Sequence, residues 1–229
     1  AFKDFNDYFS YLGKLIANSE EIINVGVLHP VRSAYFDYKT DCHAPYNGLG
    51  FLERPFFALM TELCNKGVGH HYLDEVLLAK YGRVEGQSLI LGKCKYDYII
   101  LPYMLTMDKT TEKLLREYVE NGGKVLLWGK KPQYLEGKKY SYKYLKSNTS
   151  LREIMKNQPY SIVQAKGGDI RAAYRRDEEG RDFIYAVNLG EDATATFKVD
   201  GAKSFNSYDI FTDTYKNISK RVHFAKGQS

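Results

Sequence analysis

Apolar positions recur at two different spacings along this chain, and the change from one to the other divides it. Between Asp4 and Ser19, Phe5, Tyr8, Phe9, Leu12, Leu15 and Ile16 fall at helical spacing and predict an amphipathic helix with one apolar face. Ile22–Leu28 (IINVGVL) is then a near-continuous apolar run, the pattern of a parallel strand buried on both faces. It stops at His29-Pro30, because proline cannot donate to a sheet ladder. Three further strands are predicted at Gly69–Leu73, Tyr98–Leu101 and Lys124–Trp128. Helices are predicted between them: Phe51–Lys66, ended by Gly67; one capped by Asp74 that runs to Tyr81; and one capped by Asp108 that stops at Asn121-Gly122-Gly123. A small β-hairpin is read at Val84-Glu85 and Ser88–Leu91, and Val31–Gly50 reads as a long loop carrying Tyr35, Tyr38, Asp41, His43 and Tyr46.

Alternating strands and helices with short apolar strands imply βαβ units and a parallel sheet. Right-handed crossovers favour the strand order 2-1-3-4, a doubly wound, flavodoxin-like α/β fold. After Gly129 the pattern changes. Lys130–Lys146, with six lysines and four tyrosines, reads as a solvated connector, and Ser150–Asn157 as one short helix. From Tyr160 onward the alternation has period two, broken at Gly167-Gly168, Glu179-Gly180 and Asp200-Gly201, which predicts a small antiparallel β module. The expected division is therefore residues 1–150 and 151–229. About 70 residues are few for a full two-sheet sandwich.

Composition narrows the function classes. No apolar run approaches the roughly 20 residues of a membrane span, so no membrane role is expected. The net charge of +5 is spread among interspersed acids and bases, and the lysine-rich connector reads as solvent-facing, so no nucleic-acid partner is expected. Cys42, Cys64 and Cys94 are an odd number without CxxC spacing; free thiols favour a reducing, cytoplasmic setting over a disulfide framework. The segment AFKDFNDYF has the features of no signal peptide, though in a fragment this leaves the location of the parent open.

Ligands of open parallel sheets bind beyond the carboxyl ends of the strands. Those ends carry His29, Asp74 with Glu75, Tyr103, and Gly129. His29 beside either carboxylate has the residue types for general acid–base work. The blander account makes Asp74 a helix cap and His29 the cover of a sheet end. The turn after the first strand is His-Pro-Val-Arg-Ser, and neither GxGxxG nor GxxxxGK[ST] occurs, so no nucleotide or flavin cofactor is expected. His70 and His71 are adjacent and face opposite sides of a strand, and no CxxC or HExxH occurs, so no metal site is expected. No complete catalytic set is present.

Three strings together, VGVLHPVRSAY, HHYLDEVLLAKYGRVEGQSLILGKCKYDYIILPYM and LLREYVENGGKVLLWGKKP, resemble a region of large bacterial glycoside hydrolases. In those proteins a sugar-cleaving barrel is followed by a class I glutamine-amidotransferase-like α/β domain, of the beta-galactosidase trimerisation type, and then by β-sandwiches. Related modules occur in rhamnosidase-like enzymes. RDFIYAVNLGEDATATFKV resembles the start of such a sandwich. The nucleophile elbow and His-x-Glu pair of active amidotransferases are absent. The resemblance implies a non-catalytic accessory domain whose partners are an upstream catalytic barrel, a carbohydrate substrate and a homo-oligomer. His29, Asp74, Glu75 and Tyr103 would then be ligand contacts with no catalytic role. The competing reading is a self-sufficient small-molecule hydrolase using His29 with Asp74 or Glu75.

Overall fold

The computed structural model describes residues 2–38, 52–164 and 168–229, so Asp41, Cys42, His43 and Tyr46 of the expected long loop lie outside the described residues. The chain forms two compact units. One comprises the residues up to Ile22, Asn65–Gly67 and Pro159–Ser229; the other comprises Ile23–Cys64 and Val68–Gln158. Helix α1 (Phe2–Ala17) and strand β1 (Ser19–Glu21) open the first unit. Of the predicted apolar face of α1, Leu12 is buried, while Phe5 and Phe9 lie exposed with their rings tilted against each other at 4.6 Å.

The second unit is the parallel sheet. It starts at β2 (Val25–Leu28), shorter than the apolar run from Ile22, because the Ile22 N–H bonds instead to the Tyr174 carbonyl of the first unit. Gly26 is required in β2 by close approach: a Cβ there would stand 2.5 Å from Leu73 Cδ1. The sequence after Pro30 was expected to be loop, but Val31–Asp37 is a helix, α2, with Pro30 at its N-cap. A proline costs nothing at a helix start, where its missing N–H has no partner to lose. Next come α3 (Glu53–Asn65), β3 (His71–Leu73) and α4 (Glu75–Tyr81). The predicted hairpin is a three-stranded meander, β4 (Gly82–Glu85), β5 (Ser88–Leu91) and β6 (Cys94–Tyr96). The chain continues through β7 (Tyr98–Leu101), β8 (Thr106–Met107), α5 (Lys109–Glu120) and β9 (Lys124–Leu127).

The sheet order is β3-β2-β7-β9, all parallel, which is the expected order 2-1-3-4. Alternate residues feed two cores. Leu28, Leu73, Ile99 and Leu101 join Leu78 of α4 with Leu115 and Tyr118 of α5. Val25, Val27, Tyr98 and Ile100 join Leu59, Met60 and Leu63 of α3. Tyr118 is fully buried: its hydroxyl donates to the Asp97 carbonyl at 2.8 Å and accepts the Lys124 N–H at 2.9 Å. The ring leaves no room for a side chain at Gly123, whose added Cβ would lie 2.4 Å from Tyr118 Cε2.

Lys130–Lys146 is no solvated connector. It supplies β10 (Tyr134–Leu135) and β11 (Lys138–Lys139), which form a small sheet with β8. Tyr142 and Leu145 are buried against the α4–α5 core, and the Tyr140 hydroxyl lies 3.0 Å from Glu112 Oε1. Five of the six lysines are exposed, Lys131 donates to the Tyr142 carbonyl at 3.3 Å, and the tyrosines between them pack inward. Helix α6 (Leu151–Lys156), capped by Ser150, buries Ile154 in the second core.

The antiparallel unit continues with β12 (Tyr160–Gln164), β13 (Ile170–Asp177), β14 (Asp182–Asn188), β15 (Ala193–Val199), β16 (Phe205–Asp209), β17 (Thr214–Ile218) and β18 (Arg221–Phe224). Two three-stranded sheets, β12-β15-β18 and β1-β13-β14, share a core of Ile170, Ala186, Ala195, Phe197 and Phe224. The strand that completes the second sheet comes from the start of the chain, with Glu21 opposite Arg175. Asn188, wholly buried, ties the end of β14 to its surroundings: its amide donates to the carbonyls of Glu191 (2.8 Å) and Ala225 (3.2 Å), and its oxygen accepts the Gly190 N–H. The chain as a whole is mixed α/β, with one four-stranded parallel sheet and several antiparallel ones.

Candidate functional site at the carboxyl ends of the parallel strands

His29 follows β2, and its N–H bonds to the Leu73 carbonyl at 2.9 Å, so it sits level with the end of β3. Its ring lies 5.8 Å from Phe56 and 5.6 Å from Tyr72, and those two rings are 6.1 Å apart. His70 meets Tyr72 edge-on, and Phe57 meets Phe56. The Tyr72 hydroxyl donates to Met60 Sδ at 2.9 Å, which fixes the ring while leaving half of it, 51 %, exposed. The result is a rigid aromatic surface beside the sheet end. Sequence reasoning missed Phe56 and Tyr72, because each also fits the body of its own helix or strand. The available signal was their alternation: in HYL, His71 and Leu73 share one side of β3, which leaves Tyr72 on the other.

Asp74 is the cap of α4: its Oδ1 accepts the N–H groups of Val76 (2.8 Å) and Leu77 (3.2 Å). Glu75 turns the other way and is buried, 2 % exposed. Its Oε2 accepts the Asp108 N–H at 2.7 Å, at the start of α5, where the helix dipole favours a carboxylate. Its Oε1 is buried without a hydrogen-bond partner among the described residues, as is the Thr111 hydroxyl. Burial pushes the Glu75 carboxyl up to about 7, aided by the charge of Asp108; the Asp108 N–H, Thr111 and Arg32 pull against it. Thr111 is near enough to lower the value but is not aligned for a hydrogen bond of ordinary geometry.

Between the ends of β2 and β7, where the winding of the sheet reverses, the crevice is filled by the chain itself. The Ser33 hydroxyl, fully buried on α2, donates to the Thr106 carbonyl (2.8 Å) and accepts the N–H groups of Leu105 (2.9 Å) and Thr106 (3.0 Å). Arg32 pairs with Asp108 at 3.2 Å over the same loop. Tyr103 follows β7 and lies against Gly129 at the end of β9, where a Cβ would come within 3.3 Å of Tyr103 Cβ. His29 and Asp74 thus occupy adjacent strand ends, but no hydrogen bond or ion pair joins the His29 ring to Asp74 or Glu75 among the described residues. His70 and His71 diverge, toward the Val68 carbonyl and the Tyr96 hydroxyl respectively. No group of three or more His, Cys, Asp or Glu side chains placed to hold a metal ion occurs among the described residues.

Solved structures similar in fold are larger proteins, of which this chain matches a part. A rhamnosidase from Novosphingobium sp. PP1Y matches 96 % of this chain with a TM-score of 0.62 at 16 % identity, over 23 % of its own length. In fold, the chain resembles a domain of a glycoside hydrolase. A catalytic mutant of a GH42 beta-galactosidase from G. stearothermophilus matches 91 % of the chain with a TM-score of 0.58 at 10 % identity, over 40 % of its length. For the beta-galactosidase from Bacillus circulans sp. alkalophilus the values are 95 %, 0.54 and 11 %, over 42 %. The chain therefore spans less than half of each of these proteins. No protein-family model and no curated protein matches it.

Proposed function

We propose that this chain is an accessory region of a carbohydrate-active glycoside hydrolase, beta-galactosidase-like or rhamnosidase-like, with its cleavage chemistry supplied by an upstream catalytic barrel. In this reading the second unit is a flavodoxin-like, class I glutamine-amidotransferase-like scaffold. The chain passes from it into the β module at Gln158–Pro159, a few residues beyond the division expected near residue 150. The scaffold supports one edge of the sugar pocket and contributes to homo-oligomer formation.

The observation that carries the reading is the half-exposed aromatic surface of His29, Phe56 and Tyr72 at the strand ends, with no carboxylate pair beside it among the described residues. Pyranose rings pack their C–H faces on such side chains. Glycoside cleavage needs two working carboxyls roughly 5–10 Å apart across the bond, yet Asp74 is committed to capping and Glu75 to the start of α5. Within the ligand-facing set, His29 and Tyr103 touch the sugar or barrel, while Asp74 and Glu75 hold the strand ends in place. The same commitments count against a self-sufficient hydrolase built on His29.

Assaying the 229-residue chain alone on aryl glycosides and esters tests this. The expected result is no turnover; turnover abolished by His29→Ala would overturn the proposal. Joined to its barrel, Tyr72→Ala is expected to raise KM several-fold with little change in kcat.

A further inference from the structure

The antiparallel unit carries a cleft that the strand-end reading does not use. Its volume is about 390 Å³, inside the range of roughly 300–1,000 Å³ common to small-molecule sites. Three segments line it: α1 with Tyr11 and Lys14, the β13–β14 turn with Glu178, and the β16–β17 hairpin with Tyr208 on β16 and Phe211 and Asp213 in its turn.

The aromatic rings are held in place without being covered. Asp209 Oδ1 accepts the N–H groups of Phe211 (2.9 Å) and Thr212 (3.2 Å), fixing the turn that presents Phe211. The Phe211 ring meets Tyr11 edge-on at 6.0 Å, and Tyr208 rests on Tyr215 at 4.9 Å. Phe211 and Tyr11 are nevertheless about half exposed, 57 % and 49 %. Rings that pack on one another yet keep this much open surface present apolar faces at little further entropic cost.

The polar lining divides into engaged and available groups. The Arg181 guanidinium is held by Asp177 and Glu179. Among the described residues Glu178 and Lys14 form no ion pair, and Asp213, which interacts with the Tyr208 hydroxyl, keeps further acceptor capacity. Four carboxylates against two cations make the cleft negative overall, which disfavours sulfated or carboxylated ligands. Hydroxyl groups, in contrast, donate well to carboxylates, and such charge-assisted bonds are stronger than neutral ones.

From this lining we propose a second binding site, specific for a neutral saccharide, with sugar C–H faces on Phe211 and Tyr11 and hydroxyls donating to Glu178 and Asp213. The site rests on the lining; choosing a saccharide over another uncharged polyol rests on the accessory-domain reading.

The test is titration of the full chain with an uncharged galacto-oligosaccharide, read by amide NMR and calorimetry. Binding is expected to shift amides at 208–215. Phe211→Ala and Tyr11→Ala should each weaken it several-fold to roughly tenfold, with circular dichroism unchanged, and Glu178→Gln should weaken it less. A sulfated oligosaccharide of the same length is expected not to bind. Affinity unchanged in both aromatic variants, preference for the sulfated sugar, or no shift at 208–215 would each overturn the proposal. Loss of binding in Tyr72→Ala with retention in Phe211→Ala would remove this site and leave the strand-end reading standing. The reverse result would retain the cleft and count against the strand-end surface.

Discussion

Ser33 and Thr106 hold each other twice: the Ser33 hydroxyl donates to the Thr106 carbonyl and accepts the Thr106 N–H. One small side chain thereby satisfies three backbone groups of Leu105 and Thr106 at the reversal point of the sheet. This is the place where other proteins of this topology seat a ligand. Ser33→Ala leaves the N–H groups of Leu105 and Thr106 and one carbonyl without a partner in a buried setting. The expected cost is about 2–3 kcal/mol, with faster hydrogen exchange at Leu105 and Thr106. A loss below roughly 0.5 kcal/mol with unchanged exchange would show that the interlock is dispensable.

Glu75 makes a pH prediction whose sign follows from its burial. Its folded-state value of about 7 lies above that of an unfolded carboxylate, near 4.3. Between those values the unfolded chain releases the proton and the folded chain keeps it, so stability falls as pH rises through this window and levels off above it. The span corresponds to about 4 kcal/mol at most. Glu75→Gln keeps an acceptor for the Asp108 N–H and removes the titration. Urea unfolding at pH 5 and pH 8 should show the variant gaining on the parent protein at the higher pH. An equal difference at both values would rule out Glu75 as the source.

Gly122 and Gly123 end the same helix for different reasons. Gly122 holds φ +88, a backbone requirement; Gly123 has an ordinary φ and is needed because Tyr118 fills its space. Gly123→Ala is expected to cost about 1–3 kcal/mol through overpacking. A Tyr118→Leu background should relieve that clash, so the double variant is less destabilised than the sum of the singles. No such coupling is expected between Tyr118 and Gly122→Ala. Additivity at Gly123 would refute the steric account.

Asn188 joins β14 to the segments around Glu191 and Ala225. Asn188→Ala is expected to cost about 2–3 kcal/mol by leaving buried carbonyls unpaired. Asn188→Asp should be worse at neutral pH, because an ionised oxygen would face those carbonyls, and should approach the alanine variant at pH 4. Thermal melts of both variants at the two pH values decide the matter; identical behaviour at both would refute this role.

The parallel sheet was legible because its strands are buried on both faces: VGVL, YIIL and KVLL declare themselves as apolar runs, and crossover handedness orders them. Segments whose burial depends on distant partners were not legible. Ser19-Glu20-Glu21 has no strand character of its own and becomes one only beside Arg175–Asp177. Val31–Asp37 is short enough for Pro30 to mask it. In the connector, lysine spacing hid the inward-facing tyrosines Tyr140 and Tyr142. At the candidate site, His29 and Asp74 could be placed at strand ends from sequence alone, because the termini of apolar runs locate them. The opposite fates of Asp74 and Glu75, one capping its own helix and the other reaching another, depend on side-chain direction, which no spacing records.

The pairing of β1 with β13 has a consequence for how the protein can be divided and made. The Arg175 guanidinium bonds to Ser19 across 156 residues, so β1, made first, waits for its partner strand until the parallel-sheet segment between them has been synthesised, whereas that sheet needs only its own segment. A clone cut at residue 159 to isolate the β module would leave β13 as a bare edge, open to pairing with its neighbours in solution. Supplying residues 2–22 as a separate peptide should restore the missing strand, so the module can be rebuilt from two pieces but not shortened to one.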